Sequence, residues 1–162
     1  MVRLADEFER ASGHLLEPVF GSSGKFYAQI LRGAPFDLFL SADQEKPEKL
    51  VQAGLADREN RFTYALGALV LWSSSPGKVD SAGKVLSAGE FARLAIANPR
   101  FAPYGVASLR LLQRLGLDDI EPTRIVMGEN IAQTFQFVAT GGADLGLVAL
   151  SQMYLSVAQG SR

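Results

Sequence analysis

Phe20-Gly21-Ser22-Ser23-Gly24-Lys25 is the stretch of this sequence that is most informative about the fold. It closes an apolar run at residues 15–20 and opens a run of helical spacing at residues 26–31, which predicts a strand, a turn of small residues and a helix. The first N–H groups of a helix have no intrahelical acceptor, and the helix dipole adds partial positive charge there. Because small residues let a ligand approach the backbone, such a turn is suited to an oxyanion.

The residues alone leave three interpretations of this turn open. In the first, Ser22 or Ser23 only caps the following helix. In the second, Ser-Gly-Lys belongs to a nucleotide-binding P-loop. That motif has Gly where this chain has Val19, and a metal-binding Ser or Thr where it has Phe26, so the match is poor. In the third, the turn holds a small free anion.

The composition excludes several classes of protein. A chain of 162 residues with 48% hydrophobic and 20% charged residues is one globular domain or two small lobes. A formal net charge of −1 gives no electrostatic reason to expect nucleic acid or an anionic membrane as partner. No run reaches the ~18 apolar residues of a membrane span. Met1-Val2-Arg3 leads into Asp6, Glu7 and Glu9 rather than an apolar stretch, so no signal peptide is expected in this chain.

Histidine and cysteine are too scarce for most catalytic and metal sites. The chain has no cysteine, and His14 is its one histidine, which excludes thiolate sites and argues against a two-histidine zinc site or a Ser-His-Asp triad. We expect His14 to lie exposed in a turn after Gly13, no metal cation to be bound, and the chain not to be an enzyme.

Helical and strand patterns alternate along the chain. Helices are predicted over residues 3–12, 26–31, 44–53, 90–94, 106–115 and 131–138, with a short one capped by Ser151. Strands are predicted over residues 15–20, 37–41, 64–72, 94–97, 124–127 and 145–150. Short links between alternating strands and helices favour an α/β fold of mostly parallel sheets flanked by helices.

Three strand-to-helix turns share one chemistry. They are Ser22-Ser23-Gly24, Pro103-Tyr104-Gly105 and Glu129-Asn130-Ile131. Each places N–H donors at a helix start, and the carboxyl ends of parallel strands face one crevice, so the three turns are expected to converge there. A site made only of donors suits an anion that has no proton to give.

The wider sequence resembles a known family. The segment Gly33-Ala34-Pro35-Phe36-Asp37-Leu38-Phe39-Leu40-Ser41-Ala42-Asp43, preceded by Phe20-Gly21-Ser22-Ser23, resembles the periplasmic molybdate-binding proteins of ABC transporters, of the type II periplasmic binding protein family. Asn98-Pro99, Pro103-Tyr104-Gly105, Gly128-Glu129-Asn130 and Leu145-Gly146-Leu147-Val148 continue the match in the family's order and spacing. The resemblance covers essentially the whole chain.

The resemblance implies a two-lobed binding protein that closes on one tetrahedral dianion, molybdate or tungstate, and delivers it to a membrane permease. The implied first lobe is residues 1–66, with residues 150–162 returning to it, and the second is residues 67–149. The resemblance also implies a periplasmic monomer that binds molybdate as a ligand and needs no cofactor, nucleic acid or membrane insertion.

The family's site residues carry over to three of the turns. Ligand contacts are expected from Ser22, Ser23, Tyr104, Gly105, Asn130 and Ile131. Ser23 matches a serine that gives hydroxyl and amide donors, and Tyr104 and Ile131 fall where the family supplies backbone N–H groups. Lys25 is expected to be a solvated side chain, because the implied site uses neutral donors.

One further donor of the family has no counterpart here. A tyrosine near the family's last strand aligns with Ala149, which has no hydroxyl. We expect the phenol of Tyr104 to replace that contact; the alternative is that Tyr104 only packs beside Pro103.

The ends of the chain also depart from the family. The family's first strand, with its serine-bearing loop, is expected before residue 4, and a segment completing the first lobe is expected after Arg162. Their absence from the sequence leads us to expect weakened binding. The alternatives are an effector-sensing domain of a transcriptional regulator, for whose DNA-binding motif residues 1–13 are too short, and the P-loop enzyme disfavoured above.

Overall fold

A four-stranded sheet organises the second half of the chain in the computed structural model, which describes residues 2–153. Its strands are β1 (Leu69–Trp72), β2 (Leu94–Ala97), β3 (Ile125–Gly128) and β4 (Leu145–Ala149). The helices are α1 (Val2–Ser12), α2 (Ser23–Ile30), α3 (Glu45–Gln52), α4 (Lys84–Ser87), α5 (Pro103–Arg114) and α6 (Ile131–Ala139). Single 3₁₀ turns lie at Arg58–Asn60 and Pro122–Arg124.

The sheet is mostly parallel. Its spatial order is β1-β4-β2-β3; β2 runs parallel to both β3 and β4, and β1 runs antiparallel to β4. Leu94 of β2 pairs with Ile125 on one side and Leu145 on the other. The predicted α/β fold with a mostly parallel sheet flanked by helices is therefore confirmed.

Both faces of the central strands are buried, which explains their continuous apolar sequence. On one face Leu94 and Ile96 pack with Leu112 of α5, and on the other Ala95 packs with Val138 of α6. Successive side chains of a strand point to opposite faces, so β2 contributes to two separate cores. Helices α5 and α6 thus cover opposite faces of the sheet, and each begins at the carboxyl end of the strand before it.

A stacked aromatic pair joins the sheet edge to α6. The rings of Trp72 on β1 and Phe135 on α6 lie 4.7 Å apart between centroids and 15° apart in plane. Such stacking stabilises α6 against the sheet beyond the effect of apolar burial alone.

Two predicted strands in the first third of the chain form no ladder. Within residues 2–153, the segments 15–20 and 37–41 carry no strand pairing. Their apolar side chains are largely exposed, with Leu15 77% and Leu38 68% accessible. An apolar run predicts a strand only if a neighbouring strand pairs with it, and pairing is a long-range property that the local pattern does not contain.

Three other local predictions were wrong in their bounds or type. The strand predicted over residues 64–72 is limited to β1, although the N–H of Leu150 still donates to the carbonyl of Ala68 at 2.9 Å. The helix predicted over residues 90–94 is absent; a helix forms earlier, as α4, after Gly83 with a positive φ of 64°. The final helical stretch begins at Leu150 rather than after Ser151.

The predicted division into lobes stays a prediction. Helices α1 to α3 precede the sheet, whose strands all lie within residues 69–149. The predicted return of residues 150–162 to the first lobe falls mainly on residues 154–162, outside the described residues. The longest helices, α1 and α5, have 11 and 12 residues, and no helix in the described part of the chain is long and apolar enough to cross a membrane.

Asp144 fixes the loop that enters the central strand β2. Its carboxylate accepts the N–H groups of Ala92 and Arg93 at 3.0 and 2.7 Å and pairs with the Lys78 ammonium at 3.4 Å. The hydrogen bond from Arg93, followed by the effects of Lys78 and Ala92, holds the pKa of Asp144 below its usual value against the opposing effect of burial. The Ser73 hydroxyl donates to the Asp144 carbonyl at 2.7 Å, so one residue ties β1, β2 and β4 together.

Replacing Asp144 by Asn is expected to lower the free energy of unfolding by about 1–2 kcal/mol at neutral pH, because two backbone N–H groups lose a charged acceptor. The folded-state pKa is depressed, so this stabilisation is present above the unfolded-state pKa of about 3.9 and is lost as the pH falls through the folded-state pKa. Urea unfolding at neutral and acidic pH measures the difference, with Asp118→Asn in an exposed loop as control. If the difference in the free energy of unfolding between wild type and Asp144→Asn persisted at the lowest pH, the stabilisation would not come from the ionised carboxylate of Asp144.

Candidate functional site

Neither serine of the first turn caps the helix that follows it. Ser22 occupies the N-cap position of α2 with φ −85° and ψ 143°, but its side chain makes no capping hydrogen bond. Ser23 is the first helical residue, and its hydroxyl accepts the N–H of Ala42 at 3.0 Å. The cap interpretation of this turn is therefore wrong.

The Ser22 hydroxyl is buried without a partner. Ser22 is 3% exposed and Ser23 7%, and the Ser22 Oγ makes no hydrogen bond to any described residue. Leaving a buried hydroxyl unsatisfied costs about 1–3 kcal/mol, and buried polar groups are nearly always paired. The Ser22 hydroxyl is therefore a buried donor whose partner lies outside the described residues.

The second turn leaves the amide of Tyr104 available as a donor. Pro103 begins α5 and has no N–H, and the N–H of Gly105 donates to the carbonyl of Ala102 at 2.9 Å. Tyr104 lies between them in the first turn of α5, where amides have no intrahelical acceptor. Gly105 has a packing role: a Cβ there would lie 2.2 Å from the carbonyl oxygen of Ala97, so the absent side chain lets α5 begin against the end of β2.

The phenol of Tyr104 reaches the residues that precede β1. A Cβ on Gly67 would lie 2.3 Å from the Tyr104 hydroxyl, so the ring tip occupies the space that Gly67 leaves open. Burial, and secondarily Tyr64, raises the pKa of Tyr104 above its ordinary value. The phenol is thus a protonated donor at neutral pH. Ala149 is buried, and its N–H donates to Gln152 Oε1 at 3.0 Å.

The third turn is closed by a reciprocal cap. Asn130 Oδ1 accepts the N–H of Gln133 at 2.9 Å, while Gln133 Oε1 accepts the N–H of Glu129 at 2.6 Å. This pattern satisfies two donors of the turn mutually, as in a capping box. The amide of Ile131, the first residue of α6, has no intrahelical acceptor and remains available. The Asn130 side chain is therefore engaged in positioning α6.

The three turns meet, as the sequence predicts. The N–H of Gly24 donates to the carbonyl of Phe101, in the loop before α5, at 2.9 Å. The N–H of Asn98, at the end of β2, donates to the carbonyl of Gly128, at the end of β3, at 2.7 Å. These two bonds join the first turn to the second and the second to the third.

Lys25 is partly solvated, with 42% of its side chain exposed, but it also makes an ion pair that the sequence did not predict. Its ammonium lies 2.7 Å from the Oε2 of Glu129 in the third turn. The two residues are 104 positions apart, so no local sequence signal indicates the contact. The ion pair also occupies the lysine that a P-loop would direct at phosphates.

Two negative observations narrow the chemistry of the site. Among residues 2–153 no three His, Asp or Glu side chains form a group that could hold a metal ion, and His14 is exposed as predicted. A groove of about 540 Å³ lies between the start of α3 and the outer face of α5, but Ser22, Tyr104 and Ile131 do not line it. The candidate site is defined by its converging donors rather than by this groove.

Comparison with known proteins gives a consistent result. The family model described as bacterial extracellular solute-binding protein matches residues 1–161. Over 154 residues the chain is 51% identical to the molybdate-binding protein ModA of Azotobacter vinelandii, covering 95% of this chain and 61% of the relative. It is 46% identical over 146 residues to the molybdate-binding protein ModA of Rhodobacter capsulatus, covering 90% and 58%.

A solved structure matches the whole fold. The Azotobacter vinelandii periplasmic molybdate-binding protein superposes with a TM-score of 0.90 at 48% identity, covering 93% of this chain and 66% of that one. The chain spans about three fifths of the length of the curated relatives it matches.

Proposed function

The chain belongs to the family of bacterial extracellular solute-binding proteins, and we propose that it binds a tetrahedral oxyanion, molybdate or tungstate, at the meeting point of its three helix-initiating turns. The observation that carries this proposal is the buried Ser22 hydroxyl, which has no partner among the described residues. Fully ionised molybdate has only acceptor oxygens, so it supplies what such a donor lacks.

The proposed site consists of neutral donors. The Ser22 hydroxyl, the Ser23 amide and hydroxyl, and the amides of Tyr104 and Ile131 would each donate to an anion oxygen. Gly105 and Asn130 contribute by positioning α5 and α6, because the N–H of Gly105 and the Oδ1 of Asn130 are already engaged. Hydrogen bonds from neutral donors to a charged acceptor are worth about 1.5–3 kcal/mol each, and the helix dipoles add to them.

The absence of an available carboxylate from this set favours a fully ionised anion. Phosphate at neutral pH carries protons that need an acceptor inside a closed site. The carboxylate beside the third turn, Glu129, is already paired with Lys25. This favours molybdate and tungstate over phosphate.

The proposed role is that of a carrier rather than an enzyme. We propose that the protein acts as a periplasmic monomer and hands the anion to the permease of an ABC transporter. The regulator and P-loop alternatives gain no support from the family or from the relatives reported above.

Calorimetric titration with molybdate, tungstate, sulfate and phosphate tests the proposal. Molybdate and tungstate are expected to bind with similar affinity, since their sizes are nearly equal. Sulfate is smaller and is expected to make one hydrogen bond fewer, which would weaken its binding by about tenfold or more. Phosphate is expected to give no heat. Equal heats from molybdate and phosphate would contradict the proposed selectivity, and the absence of heat from molybdate would overturn the proposal.

The substitution Ser22→Ala tests whether the Ser22 hydroxyl binds the ligand or supports the fold. We expect molybdate affinity to fall by about tenfold or more, while the free energy of unfolding stays unchanged or rises, because the variant removes an unsatisfied buried hydroxyl. Ser23→Ala is the matched comparison: it also loses the bond from Ala42, so affinity and stability should both fall. Calorimetry and urea unfolding measure the two quantities. If Ser22→Ala bound molybdate with unchanged affinity, the Ser22 hydroxyl would be a hydrogen-bond partner of water and not of the anion.

Tyr104→Phe tests whether the phenol replaces the donor that Ala149 lacks. Loss of one hydrogen bond to the anion is expected to weaken molybdate binding by about tenfold. Because the pKa of Tyr104 is raised, its donor proton is retained throughout the neutral range and is lost only above the ordinary value of about 10. The ratio of the molybdate affinities of wild type and Tyr104→Phe should therefore be constant across neutral pH. Tyr64→Phe serves as control, and equal affinities of wild type and Tyr104→Phe would assign the phenol to packing.

A further inference from the structure

Helix α2 contacts the other two turns through its first residues. The Gly24 N–H donates to the Phe101 carbonyl at 2.9 Å, and the Lys25 ammonium lies 2.7 Å from Glu129 Oε2. Both partners lie in the part of the chain that carries the sheet, far from α2 in sequence. The start of α2 is therefore held by one backbone hydrogen bond and by one ion pair.

The backbone contact depends on the missing side chain of Gly24. A Cβ at this position would lie 2.7 Å from the Phe101 carbonyl oxygen, too close for any other residue without a shift. Two cations also lie near the Phe101 ring, with Lys25 Nζ 5.8 Å and the Arg100 guanidinium 5.5 Å from its centroid. Cations at these distances from an aromatic ring are attracted to its face.

The ion pair also governs the charge beside the proposed site. Glu129 directly precedes Asn130 and Ile131, so its carboxylate stands next to a turn proposed to receive a dianion. Unpaired, it would repel that ligand. Lys25 offsets this charge while donating to the carboxylate rather than to the anion.

We propose that Lys25 and Glu129, together with the Gly24–Phe101 hydrogen bond, form a latch that holds the first turn against the other two. This rests on the proposed function in one respect: the latch adds to anion affinity because it favours the closed arrangement of the three turns. Lys25 and Glu129 are positioning residues and do not contact the anion. The pair is partly solvated, with 42% and 65% of its side chains exposed, so its effect is a factor of about two to five.

Hydrogen exchange at the Gly24 amide measures the latch without any ligand. Lys25→Gln and Glu129→Gln are each expected to lower the protection of this amide by about two- to fivefold. The variant carrying both changes should lose no more than either alone, since one interaction is removed in all three. Glu45→Gln, which breaks the exposed 2.6 Å pair with Lys49 inside α3, is the matched control and should leave Gly24 exchange unchanged.

Calorimetry with molybdate supplies the second readout. Lys25→Gln, which removes the latch and leaves Glu129 unpaired beside the proposed site, should bind molybdate about two- to fivefold more weakly than wild type, and added salt should narrow the difference by screening the charges. The double variant lacks both charges and therefore isolates the latch; it should also bind more weakly than wild type. If wild type fails to bind molybdate, the proposed function fails, and Gly24 exchange alone decides the latch. Unchanged Gly24 protection in the single variants overturns it. So do additive losses of Gly24 protection in the double variant, or opposite effects of the two single changes on this protection, because both indicate independent charges.

Discussion

The architecture of the site follows from a limit of the α-helix: its first amides cannot be satisfied by its own carbonyls. Three helices, α2, α5 and α6, begin at one place, so several donors without helical acceptors are brought together. Local devices satisfy some of them, such as the Asn130–Gln133 cap and the bond from Gly105 to Ala102. What these devices leave over are the neutral donors of the proposed site, among them the buried Ser22 hydroxyl.

The three turns differ in how they are attached to the sheet. The second and third turns follow adjacent parallel strands, β2 and β3, and the Asn98–Gly128 bond joins them directly. Gly105 lets α5 start against the β2 backbone. The first turn follows a segment with no strand ladder among the described residues, and its attachment depends on the contacts of Gly24 and Lys25. Two turns are therefore attached to neighbouring strands of one sheet, and the first is joined to them by the contacts of Gly24 and Lys25.

Much of this arrangement could be predicted from sequence because it depends on short-range patterns. Helices α5 and α6 and strands β2 to β4 were located to within a few residues by apolar spacing and by glycine or proline at their ends. The segments 15–20 and 37–41 were not, since a strand needs a partner that an apolar run does not specify. The ion pair of Lys25 was missed for the same reason: its carboxylate partner is 104 positions away. The proposed site residues were predicted from family resemblance, whereas the lack of a partner for the Ser22 hydroxyl among the described residues is visible only in three dimensions.

The stacked pair at the sheet edge has a consequence for observing this molecule. Trp72 is the one tryptophan in the chain, and its ring lies 4.7 Å from that of Phe135, one turn along α6 from Ile131. The emission of an indole depends on what its ring touches. The chain thus contains a single indole, packed against the helix whose first amide is a proposed donor. Its emission is expected to respond to motions of that helix without any added label.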